Sequence, residues 1–112
     1  MSVKATSTNT GLSVKKVKLI ADLVRGKKVD EAMLILQFLP SPIAAGIAKV
    51  VKSAAANAEN EIMARTSDLR ITEIYANEGP RTKRFRARAR GRVAKIIRRN
   101  SHITVVVDQE DL

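Results

Sequence analysis

Cysteine is absent from this chain of 112 residues, and so is tryptophan. Without cysteine there is no disulfide framework, and zinc would have only His102 and scattered carboxylates as ligands, so neither a metal nor a cofactor is expected. Aromatic residues are limited to Phe38, Tyr75 and Phe85, too few for the exposed platform on which RRM-type and OB-type sheets stack single-stranded bases. No run of 18 or more apolar residues occurs, and Met1 to Leu12 lacks the basic and apolar regions of a signal peptide. A membrane partner is not expected, and the chain reads as cytoplasmic.

Acidic residues are missing from one region in particular. Between Gly79 and Val107 there is none, while Arg81, Lys83, Arg84, Arg86, Arg88, Arg90, Arg92, Lys95, Arg98 and Arg99 supply ten cations. The net charge is +10 from 21 basic and 11 acidic residues, so the 11 remaining bases balance the 11 acids. The whole excess therefore sits in a short limb attached to a neutral body, and a polyanionic partner is implied.

The length fits one domain, residues 1–112, able to bury about two thirds of its unfolded surface. Ser and Thr are common in the first 12 residues, which read as a short strand or arm around Val3, Ala5 and Ser7. Ser13 is placed to cap a helix whose apolar positions Val17, Ile20, Ala21 and Val24 share a face, with Gly26 as its stop. A second helix is expected from Asp30 as N-cap, with Val29 stapled onto Leu34, until Pro40 ends it. Ser41 and Pro42 open a third helix reaching about Ala64, with Ile43, Ile47, Val50, Val51, Ala54, Ala58 and Ile62 facing inward. Leu69 to Glu78 and Ile103 to Val107 have the β-prone texture of strands. The fold class is α+β: three helices packed on a small antiparallel sheet, with a long extended β-hairpin. Residues 79–96 form the protruding basic limb.

Within that limb Arg84, Arg86, Arg88, Arg90 and Arg92 alternate with Phe85, Ala87, Ala89 and Gly91. A period of two on a strand would align all five on one face about 6.7 Å apart. Neighbours at that distance repel by about 0.6 kcal/mol per pair even in bulk water. An ordinary solvated face would intersperse acids, so the run is better read as a phosphate-binding surface. Arginine outnumbers lysine eight to two there, which suits forked donation to phosphate. A second basic cluster, Lys15, Lys16, Lys18, Arg25, Lys27 and Lys28, surrounds the first helix and reads equally as an RNA surface or as solvated lysines.

Catalysis finds no support. His102 has no cysteine to activate and reads as a packing or phosphate-contacting residue. Glu59 and Glu61 lie two apart on a helix and diverge, Asp108, Glu110 and Asp111 form an acidic tail, and no glycine-rich nucleotide loop is present. No small-molecule substrate is expected, and the chain is read as a non-enzyme. Two other classes are not favoured. A DNA-compacting architectural protein would dimerise and bind duplex DNA, and a cationic membrane-active protein would need a basic helix with bulky apolar residues where Arg84 to Arg92 alternates with alanine.

Four blocks give the chain a specific resemblance: Val17 to Lys28 (VKLIADLVRGKK), Ser53 to Glu59 (SAAANAE), Asn77 to Arg84 (NEGPRTKR) and Ala89 to Val107 (ARGRVAKIIRRNSHITVVV). In order and spacing these resemble the large-subunit ribosomal protein family numbered twenty-two, of bacterial type, whose β-hairpin lines the nascent peptide exit tunnel. The resemblance implies a structural constituent of the large ribosomal subunit that binds its ribosomal RNA, aids early assembly and sits in the cytoplasmic ribosome beside neighbouring ribosomal proteins. It also implies that Arg81, Lys83, Arg84, Arg86, Arg88, Arg90, Arg92, Lys95, Arg98 and Arg99 contact RNA, and that Thr82, Lys83, Arg84, Phe85, Arg86, Arg88 and Arg90 line the tunnel facing the nascent peptide. Many members carry basic residues ahead of the first helix, where this chain has the uncharged run Thr8 to Leu12.

Ten clustered cations make RNA binding by the free protein strongly salt-dependent. Plotted as log affinity against log salt, filter-binding data should fall with a slope steeper than about −2; a shallower slope would mean fewer than about three phosphates engaged.

Overall fold

The computed structural model describes residues 2–8, 10–79, 82–87, 91, 93–98 and 100–109, with residues 82–87 and 93–98 described by their backbone pairing. Strand β1 (Ser2–Ser7) is followed by helices α1 (Val14–Val24), α2 (Val29–Phe38) and α3 (Pro42–Ile62). A 3-10 turn over Thr66–Asp68 leads into β2 (Leu69–Glu78), β3 (Thr82–Ala87), β4 (Val93–Arg98) and β5 (Ser101–Gln109). Strands β1, β5 and β2 form an antiparallel sheet in that order, and β3 and β4 form a separate antiparallel ribbon. The expected α+β architecture of three helices on a small antiparallel sheet is what the chain adopts.

The helices cover one face of the sheet. α3 packs on β1 and β5, α1 packs on β2, and α2 leans on α3. Val3 and Ala5 of β1, Leu69, Ile71 and Ile74 of β2, and Ile103, Val105 and Val107 of β5 meet Val17, Ala21, Val24, Ile47, Val51 and Ala54 in one core. Each large aliphatic side chain buried there contributes about 1.5 to 3 kcal/mol. Alanines at 44, 54, 55 and 58 let the backbone of α3 approach its neighbours closely. The other sheet face is open, and Thr6, Thr104 and Tyr75 stand in a row across it.

Strand β2 contains a bulge. Ile71 is paired with Val107 and Glu73 with Val106, so Thr72 is the extra residue. The inward spacing on β2 is two from Leu69 to Ile71 but three from Ile71 to Ile74, and only this insertion lets both isoleucines face the helices. The Thr72 hydroxyl donates to the Val106 carbonyl at 3.2 Å. The phase shift is thus tied down by a side chain that faces away from the core.

Helix boundaries follow the expected punctuation with three corrections. Ser13 occupies the N-cap of α1, but its side chain makes no capping bond. Asp30 is not the cap of α2: the helix starts at Val29 with Lys28 as N-cap, and Ala32 N–H donates to the Lys28 carbonyl at 2.9 Å. Because Val29 is itself helical, Leu34 lies five residues further on and points roughly 140° away. No staple can form, and Leu34 is 55% exposed while Val29 is buried. On α3 the Ser41 hydroxyl does accept from Ile43 N–H, and the helix ends at Ile62 rather than Ala64 because Met63 turns left-handed with φ 57°. Ile20, Ile43 and Ile62 are only half-buried, and Ala44 and Ala55 hold fully buried places instead.

Core and surface should separate cleanly in urea unfolding. Ile74→Ala is expected to lower stability by about 2 to 5 kcal/mol, and Phe38→Ala, on the open face of α2, to change it by less than about 0.5 kcal/mol.

Candidate nucleic-acid interface

The ribbon β3–β4 continues the β2–β5 ladder. Glu78 pairs with Ser101 at the end of the sheet, Gly79 N–H donates to the Asn100 carbonyl at 2.9 Å, and Thr82 pairs with Arg98 at the start of the ribbon. The outgoing strand uses three residues between these pairs and the returning strand two. The chain measures 67 Å along its longest axis and 26 and 17 Å across it.

Register decides which charges face one another. Lys83 is opposite Ile97, Arg84 opposite Ile96, Phe85 opposite Lys95, Arg86 opposite Ala94 and Thr82 opposite Arg98. No cation is therefore opposite a cation within the described strands. A slip of one residue would bring Lys83 opposite Arg98 and Arg86 opposite Lys95, or, in the other direction, Arg84 opposite Lys95. Directly opposed like charges are destabilising, so charge selects the register as well as the partner.

Of the five alternating arginines, Arg84 and Arg86 lie in a described strand. β3 ends at Ala87, and Gly91, with φ +72°, departs from the extended conformation. Arg84 and Arg86 occupy alternate positions of β3. Arg81, Arg88, Arg90, Arg92 and Arg99, by contrast, lie outside the described residues.

A polar knot fixes the root of the ribbon. The Asn100 carboxamide oxygen accepts from Gly11 N–H at 2.7 Å and from Ser101 N–H at 2.9 Å. Thr10 N–H donates to the Ser101 carbonyl at 3.0 Å, and the two hydroxyls lie 2.8 Å apart. Ser101 is fully buried, and among the described residues no buried side-chain nitrogen or oxygen lacks a partner. Gly79 is closely approached: a Cβ there would sit 3.2 Å from His102 Cε1 and 3.4 Å from Ser101 N, so the imidazole would have to give by a few tenths of an ångström. His102 thus packs at the root of the ribbon. The knot escaped the sequence reading because Thr10 and Ser101 are 91 residues apart and carry no local pattern.

The second cluster is divided by the fold. Lys15, Lys16 and Lys18 are exposed on α1, away from Val17, Ala21 and Val24. Arg25, also exposed, has partners within the body: it pairs with Asp22 and donates to the Ile74 carbonyl at 2.8 Å, pinning α1 to β2. Lys27 and Lys28 are exposed, but their backbone laces the free edge of β2. Gly26 N–H donates to the Ile71 carbonyl at 3.0 Å, Ile71 N–H to the Lys27 carbonyl at 2.9 Å, and Lys28 bridges Arg70. Gly26 takes φ +81°, a conformation that costs glycine nothing, at this turn. Sequence reading also missed the exposed Lys4, Lys49 and Lys52, and Leu19 and Leu23 on the lysine side of α1.

Among the described residues no group of three or more His, Asp or Glu could hold a metal, and no helix is long and apolar enough to cross a membrane. A helical layer on a sheet, followed by a ribbon in an acid-free basic stretch, is the architecture of a structural protein of α+β class with one strongly cationic segment. The family model for ribosomal protein L22p/L17e matches residues 5–108. Over 107 residues the chain is 56% identical to the large ribosomal subunit protein uL22 of Dehalococcoides mccartyi, covering 96% of this chain and 98% of that one. The same protein of Clostridioides difficile is 53% identical over 110 residues, 98% of this chain and 99% of its own length. That of Herpetosiphon aurantiacus is 48% identical over 112 residues, 100% and 99% respectively. The chain belongs to the L22p/L17e family of ribosomal proteins, which are structural components and not enzymes.

Arg25 and Lys15 should part company on substitution. Arg25→Ala is expected to lose about 1 kcal/mol of stability in thermal unfolding, from the bond to Ile74. Lys15→Ala should leave stability within about 0.5 kcal/mol.

Proposed function

We propose that the chain is a structural, RNA-binding constituent of the large ribosomal subunit, cytoplasmic and free of any small-molecule substrate, that helps shape the ribosomal RNA during early assembly. The observation that carries this reading is the antiparallel ribbon β3–β4 that follows the Glu78–Ser101 pair, within a stretch, Arg81 to Arg99, that holds ten cations and no acid. A ribbon of six residues per strand is about 20 Å long, and it is reached through a sheet whose root is knotted by Asn100, Thr10 and Ser101. Residues 79–96 form a limb that projects from a single domain, 1–112, and threads between RNA segments. Phosphates neutralise the mutual repulsion of Arg81, Lys83, Arg84, Arg86, Arg88, Arg90, Arg92, Lys95, Arg98 and Arg99. Thr82, Lys83, Arg84, Phe85, Arg86, Arg88 and Arg90 line the nascent peptide exit tunnel, where the passing peptide is their partner. Lys15, Lys16, Lys18, Lys27 and Lys28 add RNA contacts at the body, and Arg25 holds the helix that presents three of them.

Two measurements test this. In cell extract a tagged chain should co-migrate with the large subunit through a sucrose gradient; recovery only at the top of the gradient would overturn the proposal. Excising residues 82–98 along the observed register should leave a body with unchanged helical circular dichroism, because the core of helices and basal strands lies outside them. Loss of the folded signal would show that the limb is part of the core.

A further inference from the structure

From Val29 to Ala48 the sequence has no lysine or arginine, a gap of 20 residues in a chain with 21 cations among its 112. Helix α2 lies inside this gap, and its only charges are Asp30 and Glu31. Its buried face is supplied by Val29, Ala32 and Leu36. On the opposite side Leu34 and Phe38, one helical turn apart, are 55% and 79% exposed. The two carboxylates favour the helix N-terminus wherever it points, but nothing in the folding of the body requires Leu34 and Phe38 to be apolar. Met33, next to Leu34, lines a mainly apolar cleft of about 360 Å³ with Val29, Ala55 and Ala56, whose polar lining is Lys52, Glu59 and Thr66, one cation against one carboxylate. The stripe and the cleft give α2 two adjoining apolar features with acids at one end.

We propose that this outward face of α2 is the surface on which the chain docks a second protein, one presenting apolar side chains rimmed by lysine and arginine. The proposal rests on the ribosomal reading above and adds to it which side of the body meets protein rather than RNA. Phosphate is disfavoured here on two counts: Asp30 and Glu31 repel it, and Leu34 and Phe38 offer it no donor. A basic protein gains on both, pairing its cations with the carboxylates and removing a leucine and a phenylalanine from water. The chain is then two-sided, with lysines on α1 and the ribbon turned to RNA and α2 turned to protein.

The test uses the full chain assembled in cells. A benzophenone amino acid replaces Gln37, exposed between Leu34 and Phe38, or, in a second strain, Lys15 on α1. Large subunits are purified, irradiated and their crosslinks sequenced. Position 37 should link to a basic protein segment and position 15 to RNA. Leu34→Glu combined with Phe38→Glu, both surface changes, should cut the protein crosslink from position 37 by roughly tenfold or more. Crosslinking of position 37 to RNA, no crosslink from it, or a yield insensitive to the double substitution would overturn the proposal. Absence of the chain from large subunits would be a different failure, that of the functional reading beneath it.

Discussion

Everything in this chain hangs on the pairing of β2 with β5. β5 is the central strand of the sheet, between β1 and β2. Its inward side chains Ile103, Val105 and Val107 are fully buried and, with those of β1 and β2, form the floor on which the helices pack. The same two strands lead to Gly79 and Asn100, where Gly79 N–H donates to the Asn100 carbonyl at the root of the ribbon.

The inserted residue in β2 gives this ladder its shape. Thr72 resets the phase so that Ile71 and Ile74 both reach the core. The pairing on either side of it cannot slide without exposing those isoleucines. Charge then pins the ribbon itself, since the adjacent registers set cation against cation. A limb that cannot bury much is held in line by what it must avoid.

Much of this was legible in the residues and some was not. Pro40, Ser41 and Pro42 mark the α2–α3 boundary because proline acts locally, and Leu69 to Glu78 reads as a strand from its β-branched and aromatic content. The spacing of Leu69, Ile71 and Ile74 already contained the bulge, as a period of two broken once by three. Asp30 misled because an acid two residues into a helix looks the same in sequence as an acid at the cap; the outcome depended on Lys28 bridging Arg70, 42 positions away. Arg25 was grouped with the lysines by charge alone, and only the closeness of the Ile74 carbonyl separates it from them. Of the alternating arginines, Arg84 and Arg86 fall on alternate positions of β3 as a period of two requires, and Arg88, Arg90 and Arg92 lie outside the described residues.

The position of β5 at the centre of the sheet has a consequence for biogenesis. Synthesis runs from β1 to β5, so both outer strands emerge before the strand that joins them exists. The three helices can form early, since their hydrogen bonds are local, but their apolar faces remain without a floor until Ser101–Gln109 is made. The sheet therefore closes only when β5 has been made, although helix–helix contacts such as those of α2 with α3 do not depend on it.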